Sequence, residues 1–419
     1  MAEKALLVTA EVYSGKDRAR SGWTAEERAD ELRELAVSCG AETVHEEVVK
    51  LKHVSPALFI GEGKAQEIAG LSARFAVDVV IFNNNLTGSQ QKNLEDILAV
   101  MTVDRTQLIL DIFARRAKSN EGKIQVELAQ LTYLLPRLTG SGIILSRLGG
   151  GIGTRGPGEQ KLEVNRRRIR EKIARLKKNI DDITRQRETS RRQRTDFSLL
   201  DIAIIGYTNA GKSTLLNTLT GSRTLVRDRL FSTLDPTIRS YVLENNQKVI
   251  FCDTVGFLDD LPHTLIESFK ATLEEVAQAD LLIHVIDASH PKCRLQEKAV
   301  FAVLGEIGAS EKPVVTVLNK IDRIEDAREV EKLAREFNDA VALSAVTGAG
   351  VDRLLDRIVL YLSKIMTVVS VRIPQHEMKA IGFIHEHAHI IKKEYIDQDV
   401  SFEVMIPTHL KGRLGKFMK

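Results

Sequence analysis

Gly206-Tyr207-Thr208-Asn209-Ala210-Gly211-Lys212-Ser213 has the complete GxxxxGK[ST] form of a phosphate-binding loop. An apolar run, Leu199 to Ile205, precedes it and reads as a buried strand. A helical pattern, Thr214 to Leu219, follows it. Strand, loop and helix in that order are what the chemistry needs. Glycines let main-chain N–H groups curl round a phosphate at a helix N-terminus. Lys212 is then placed for the β- and γ-phosphates, and the Ser213 hydroxyl for Mg²⁺.

Three later motifs narrow the ligand. Asp253-Thr254-Val255-Gly256 ends a second apolar run, with Asp253 suited to the Mg²⁺ shell and the Gly256 N–H to a γ-phosphate. Asn319-Lys320-Ile321-Asp322 ends a third run. An aspartate there accepts from the N1–H and N2–H₂ edge of guanine, a pattern adenine lacks, so ATP would leave Asp322 unpaired. Ser344, Ala345 and Val346 follow a short strand and offer a main-chain N–H to the base carbonyl. Four motifs in this order at strand ends predict an open α/β sheet with a guanine nucleotide, GTP or GDP with Mg²⁺, at its carboxyl edge.

With 419 residues, 43% hydrophobic, the chain has material for several cores. Cys39, Cys252 and Cys293 are scattered and odd in number, which implies no disulfide framework. No apolar run is long enough to span a membrane, and the start lacks a signal-type pattern. A cytoplasmic monomer is expected.

Ahead of the nucleotide motifs, residues 1–103 alternate strand and helix signals, with a capping box at Thr24 and Glu27. Gly61-Glu62-Gly63-Lys64 reads as a helix-entry turn rather than an anion site. Residues 104–197 read as helical. Leu162, Ile169, Ile173, Leu176, Ile180 and Ile183 form a heptad-like seam. The segment 140–158 holds eight glycines, Arg147 and Arg155, and no acid. Its Gly151–Gly156 stretch matches a dinucleotide fingerprint, but no strand precedes it. Between 160 and 196 there are 14 Lys/Arg against 6 Asp/Glu, a net of +8 within a chain whose net is only +3. That asymmetry points to RNA phosphates. The fold class is therefore α/β and multidomain. It comprises a small N-terminal α/β domain (1–103) and a long antiparallel helical hairpin with a glycine-rich tip (104–197). A P-loop GTPase domain with a mostly parallel sheet (198–366) and a small C-terminal α+β domain (367–419) complete it.

One motif belongs to another class. His385-Glu386-His387-Ala388-His389 matches the HExxH pattern, which on a helix puts His385 and His389 on one face with Glu386 beside them. A remote zinc-hydrolase reading follows from it, although His409 is the only later histidine.

Taken together, these residues resemble the HflX family of ribosome-associated GTPases. Besides the nucleotide motifs, the resemblance rests on Asp104–Phe113, Glu121–Leu131, Gly151–Glu159 and Leu230–Thr237. One departure is Gln160-Lys161, where a threonine-glutamine pair is expected. The resemblance implies binding to the large ribosomal subunit and its rRNA, hydrolysis stimulated there, and splitting or rescue of stalled ribosomes. It also implies that the tip points toward the peptidyl-transferase region. A GTPase of rRNA or tRNA maturation is the alternative. Within Phe231-Ser232-Thr233-Leu234-Asp235 the resemblance makes Thr233 the switch residue and second Mg²⁺ ligand, with Thr237 the competing candidate. Lys212, Thr233 and Gly256 are thus the catalytic set. Asn209 occupies the position where some related GTPases hold K⁺. Phe257 stands where Ras-like enzymes carry a water-orienting glutamine, so slow intrinsic hydrolysis is expected.

Overall fold

The computed structural model describes residues 2–13, 22–138, 157–195, 200–221, 230–231, 235–244, 247–259, 270–338 and 340–418. Most of the glycine-rich tip, and Ser232, Thr233 and Leu234, lie outside them. Two compact units emerge. The first comprises residues 1–181, 227–235 and 258–271, and the second 182–226, 236–257 and 272–419.

In the first unit β1 (Lys4–Val12), α1 (Ala25–Cys39), β2 (Glu42–Leu51), α2 (Glu62–Phe75), β3 (Val79–Phe82), α3 (Gly88–Leu98) and β4 (Met101–Asp104) alternate. They build an all-parallel sheet of order β2-β1-β3-β4. Leu6, Val8, Ile60, Ile68, Phe82 and Leu94 form its buried core. The Thr24–Glu27 capping box is present, and Thr87 with Gln90 makes a second that starts α3. Gly61 caps α2, and Lys64 is tied to Glu47 and Glu67 at 2.7 and 2.9 Å, so this turn is a helix entry with its cation already neutralised.

Three helices follow: α4 (Arg105–Arg116), α5 (Asn120–Arg137) and α6 (Pro157–Thr195). Asp104 joins them to the sheet. Its fully buried carboxylate caps α4 through the Gln107 N–H (2.8 Å) and accepts from Leu86 N–H (3.1 Å). It also accepts from Tyr133 Oη–H (2.7 Å) and Arg137 Nη2 (2.9 Å) of α5. Burial, and then the Asp104 charge, push the Tyr133 hydroxyl well above its ordinary pKa. Along α6, Ile169, Ile173, Leu176, Ile180 and Ile183 are less exposed than most of their neighbours, as the seam predicts, and Leu176 is buried. Lys172 of α6 pairs with Glu127 of α5.

In the second unit β5 (Leu200–Gly206), α7 (Lys212–Thr220), β6 (Thr237–Val242) and β7 (Lys248–Asp253) come first. Helix α8 (Lys270–Gln278), which begins at the end of the first unit's last segment, leads to β8 (Leu281–Asp287) and α9 (Cys293–Glu306). Then come β9 (Val314–Asn319), α10 (Ala327–Glu336), β10 (Val341–Ala342) and α11 (Val351–Ile365). The six strands run β10-β9-β8-β5-β7-β6, and only β6 is antiparallel. Near-continuous apolar strands such as Ile202–Ile205 and Leu281–Ile286 are buried on both faces, as a helix-covered parallel sheet requires. The chain ends in an antiparallel sheet of order β11-β13-β12 with one helix and a 3₁₀ segment, Thr408–Phe417. Its elements are β11 (Met366–Pro374), α12 (Met378–His387), β12 (His389–Ile396) and β13 (Asp399–Pro407). Among the described residues no helix is long and apolar enough to cross a membrane.

The HExxH expectation is corrected here. Helix α12 stops at His387, Ala388 is extended (φ −131°, ψ 146°), and His389 begins β12. His385 and His389 therefore do not share a helical face. Among the described residues no group of three or more His, Cys, Asp or Glu is placed to hold a metal. The His385 ring instead lies edge-on to Phe402.

Candidate nucleotide site

The four motifs fall at the carboxyl ends of β5, β7, β9 and β10. Parallel strands all end on the same edge, which is why motifs far apart in sequence meet there. Glycines carry the closest approaches. Gly211 has φ +97°, and a Cβ on it would stand 2.2 Å from Asn319 Nδ2. A Cβ on Gly256 would come within 2.8 Å of Thr208 Cγ2 and 3.0 Å of Lys212 Nζ. Asn209, at φ +61°, takes the left-handed conformation that Asn tolerates.

Lys212 begins α7 and is buried, its ammonium donating to Gly206 O (3.2 Å) and Tyr207 O (2.9 Å). Burial lowers its pKa to about 8, opposed by Asp253 and reinforced by Lys320. The Ser213 hydroxyl donates to Asp253 Oδ2 at 2.5 Å, and Asp253 is 1% exposed. A hydroxyl beside a buried carboxylate is a donor set that suits Mg²⁺, a hard cation that protein sites hold through few direct ligands. The fully buried Thr254 donates its hydroxyl to Ile204 O (2.8 Å) and anchors the turn that leads to Val255 and Gly256. Phe257 is 1% exposed, and its main chain pairs with the loop: Thr208 N–H to Phe257 O at 2.8 Å and Phe257 N–H to Gly206 O at 3.1 Å. Its side chain is core. Thr237 starts β6, across the ladder from Asp253.

Asn319 braces the site. It is 2% exposed, donates from Nδ2 to Ala210 O (2.8 Å) and accepts at Oδ1 from Ala345 N–H (2.9 Å). The phosphate loop is thus tied to the segment after β10. Thr218 of α7 adds a bond to Ala345 O (2.6 Å). Ser344 is buried, and Val346 stands out at 77% exposure. Ile321 and Asp322 lie on a 3₁₀ turn with the Asp322 side chain exposed, a position from which an acceptor can meet a base edge. Lys320 has φ +63° and is held by Asp287 Oδ2 at 2.7 Å. Sequence reasoning missed Asp287. The available signal was its place at the end of the apolar run Leu281–Ile286, equivalent to Asp253 and Asn319 on their strands.

Phe231 and Asp235 are used within the first unit. Phe231 is 2% exposed and meets Phe113 of α4 edge-on, centroids 4.6 Å apart. The Asp235 carboxylate accepts from the main-chain N–H groups of Lys118 (2.9 Å) and Ser119 (2.8 Å) and from the Ser119 hydroxyl (2.5 Å).

Four family models tile the chain. They are GTP-binding GTPase N-terminal (26–114), GTP-binding GTPase Middle Region (116–194), 50S ribosome-binding GTPase (201–320) and HflX C-terminal domain (329–418). A GTPase HflX of Caldanaerobacter subterraneus subsp. tengcongensis is 47% identical over 393 residues, covering 94% of this chain and 90% of its own. A GTPase HflX of Escherichia coli K12 is 41% identical over 384 residues, covering 91% and 90%. A crystallised GTP-binding protein of Sulfolobus solfataricus in complex with GDP aligns at 26% identity and TM-score 0.44, over 85% of this chain and 98% of that one.

Proposed function

The chain belongs to the HflX family of GTPases, and we propose that it binds the large ribosomal subunit in its GTP form and there splits or rescues stalled ribosomes. The observation that carries the nucleotide half is the Asn319 brace, which joins the phosphate loop to the base-side loop. The ribosomal half is supported by the match to the 50S ribosome-binding GTPase model and by the +8 stretch from 160 to 196. In this reading residues 1–103, 104–197, 198–366 and 367–419 act as four modules.

Ser213, with the Asp253 carboxylate behind it, and Thr233 would hold Mg²⁺, which would supply neutralisation of phosphate charge. Lys212 turns its ammonium, which has three donors and spends two on the carbonyls of Gly206 and Tyr207, toward the β- and γ-oxygens. The Gly256 N–H stabilises charge as it develops on the γ-phosphoryl group. Phe257 has no group to orient water and is locked in the core, so turnover by the free protein is slow and the target sets its timing. Sedimentation with large subunits in the presence of a GTP analogue tests the reading, and recovery with small subunits or free rRNA instead points to a maturation role.

Asn209 gives this reading a cation dependence. Asn209 would hold K⁺, which would supply positive charge beside the phosphates in the manner of an arginine finger. Turnover is expected to be several-fold faster in KCl than in NaCl. Equal rates in the two salts, on and off the ribosome, would leave Asn209 a purely conformational residue.

A further inference from the structure

The corner where α4 turns into α5 gathers residues that flank two nucleotide motifs. Asp235 follows the Phe231–Leu234 stretch and Asp259 follows Asp253–Gly256, and both lie in the first unit with that corner. On one side Asp235 takes three donors at the start of α5, while Ser119 itself caps the helix by accepting from Gly122 N–H (2.9 Å). The fit is close: a Cβ on Gly122 would lie 2.3 Å from Asp235 Oδ1. Asp235 thus anchors the N-cap residue and the one before it through charge-assisted bonds, with its negative charge at the positive end of the helix dipole. Phe231 adds an apolar anchor against Phe113. On the other side Arg105, 5% exposed at the start of α4, donates to Asp259 O (3.2 Å). The same guanidinium is fixed by Asn83 Oδ1 (2.8 Å) and Glu31 Oε2 (2.5 Å).

We propose that this corner reads the state of the nucleotide for the helical module, with Asp235 and Arg105 as positioning residues. The inference rests on the functional reading above, in which Thr233 and Gly256 answer to the γ-phosphate. Asp235 is two residues from Thr233 and Asp259 three from Gly256, so displacement of either motif pulls directly on the start of α5 or α4. Helices α5 and α6, which flank the glycine-rich segment in sequence and include the basic stretch, then sense the nucleotide through the chain itself. Gly122 exists as glycine because the Asp235 carboxylate seats against it, which gives a physical reason for one residue of the Glu121–Leu131 segment.

Hydrogen exchange of the full chain, loaded with GDP or with a non-hydrolysable GTP analogue, tests this. The amides of Lys118 and Ser119 are themselves the donors to Asp235, so their protection reports the contact. Exchange at residues 118–122 is expected to differ at least fivefold between the two nucleotides. Gly122→Ala, which displaces the carboxylate without altering it, should abolish that difference while GDP affinity persists. Should that variant not fold, Ser119→Ala keeps the two main-chain bonds and should retain a smaller difference. If both nucleotides bind and exchange at 118–122 is the same, the coupling is overturned. If neither nucleotide binds, the functional reading fails first and the coupling with it.

Discussion

Asp322→Asn is expected to lower GTP affinity by about 1000-fold and to turn preference toward XTP. Asp322 stands exposed on its 3₁₀ turn, beside a Lys320 fixed by Asp287 and an Asn319 bonded through Nδ2 to Ala210 and through Oδ1 to Ala345. Within the turn, Asp322 is the exposed acceptor that can read the donor edge of guanine. A hydrogen bond to a carboxylate is worth roughly 1.5–3 kcal/mol; Asn forfeits one, takes the charge from the other and sets donor against donor, which together account for a change of this size. Asn presents one acceptor and one donor in place of two acceptors. Guanine offers two donors, whereas xanthine offers N1–H and a carbonyl, so Asn suits xanthine. Titration with labelled GTP and XTP measures the switch. GTP binding that survives the substitution unchanged would show that another residue reads the base.

Arg166, Arg167 and Arg168 changed together to Glu should weaken large-subunit binding by on the order of 100-fold near 0.1 M salt, while GDP binding by the free protein stays within about twofold. In α6, the exposed Arg167 faces Glu171 one turn away at 3.4 Å, and the half-buried Arg166 faces Glu163 at 3.7 Å. Helix pairs of this kind contribute about 0.3–0.5 kcal/mol each, little enough to be given up for pairing with RNA phosphates. Each phosphate that is no longer neutralised should reduce the slope of log affinity against log salt by about 0.7–0.9, so the gap from the unaltered chain narrows as salt rises. Equal binding and equal slopes would remove the basic helix from recognition and move it to the first hundred residues or the C-terminal module.

Much of the second unit was legible because phosphate chemistry demands particular residues at fixed spacing. The backbone needs Gly at 211, where a Cβ would strike Asn319, and the loop needs Lys212 and Ser213 beside it. The heptad-like seam of α6 was legible for a different reason, since a helix must repeat its apolar residues to cover one face. Roles set by distant partners were not legible. Asp235 reads as part of a nucleotide motif, and its carboxylate also holds the N-cap residue of a helix that begins more than a hundred residues earlier. Asn319 is a brace only because β9 and β10 place Ala345 within reach of an amide already bonded to Ala210. The place of Asp287 at a strand end was visible, but its hold on Lys320 required β8 to lie beside β9. The HExxH match misled because a five-residue pattern carries no information about where its helix ends. Here the end falls at His387, inside the pattern.

GTP-gated attachment to the large subunit is open to one direct measurement. The full chain is sedimented with purified large subunits in the presence of Mg²⁺ and either a non-hydrolysable GTP analogue or GDP, at two salt concentrations. Stoichiometric recovery with the analogue, with much weaker and more salt-sensitive recovery with GDP, is the predicted result. Recovery that is absent in both states, or equal in both, would contradict it.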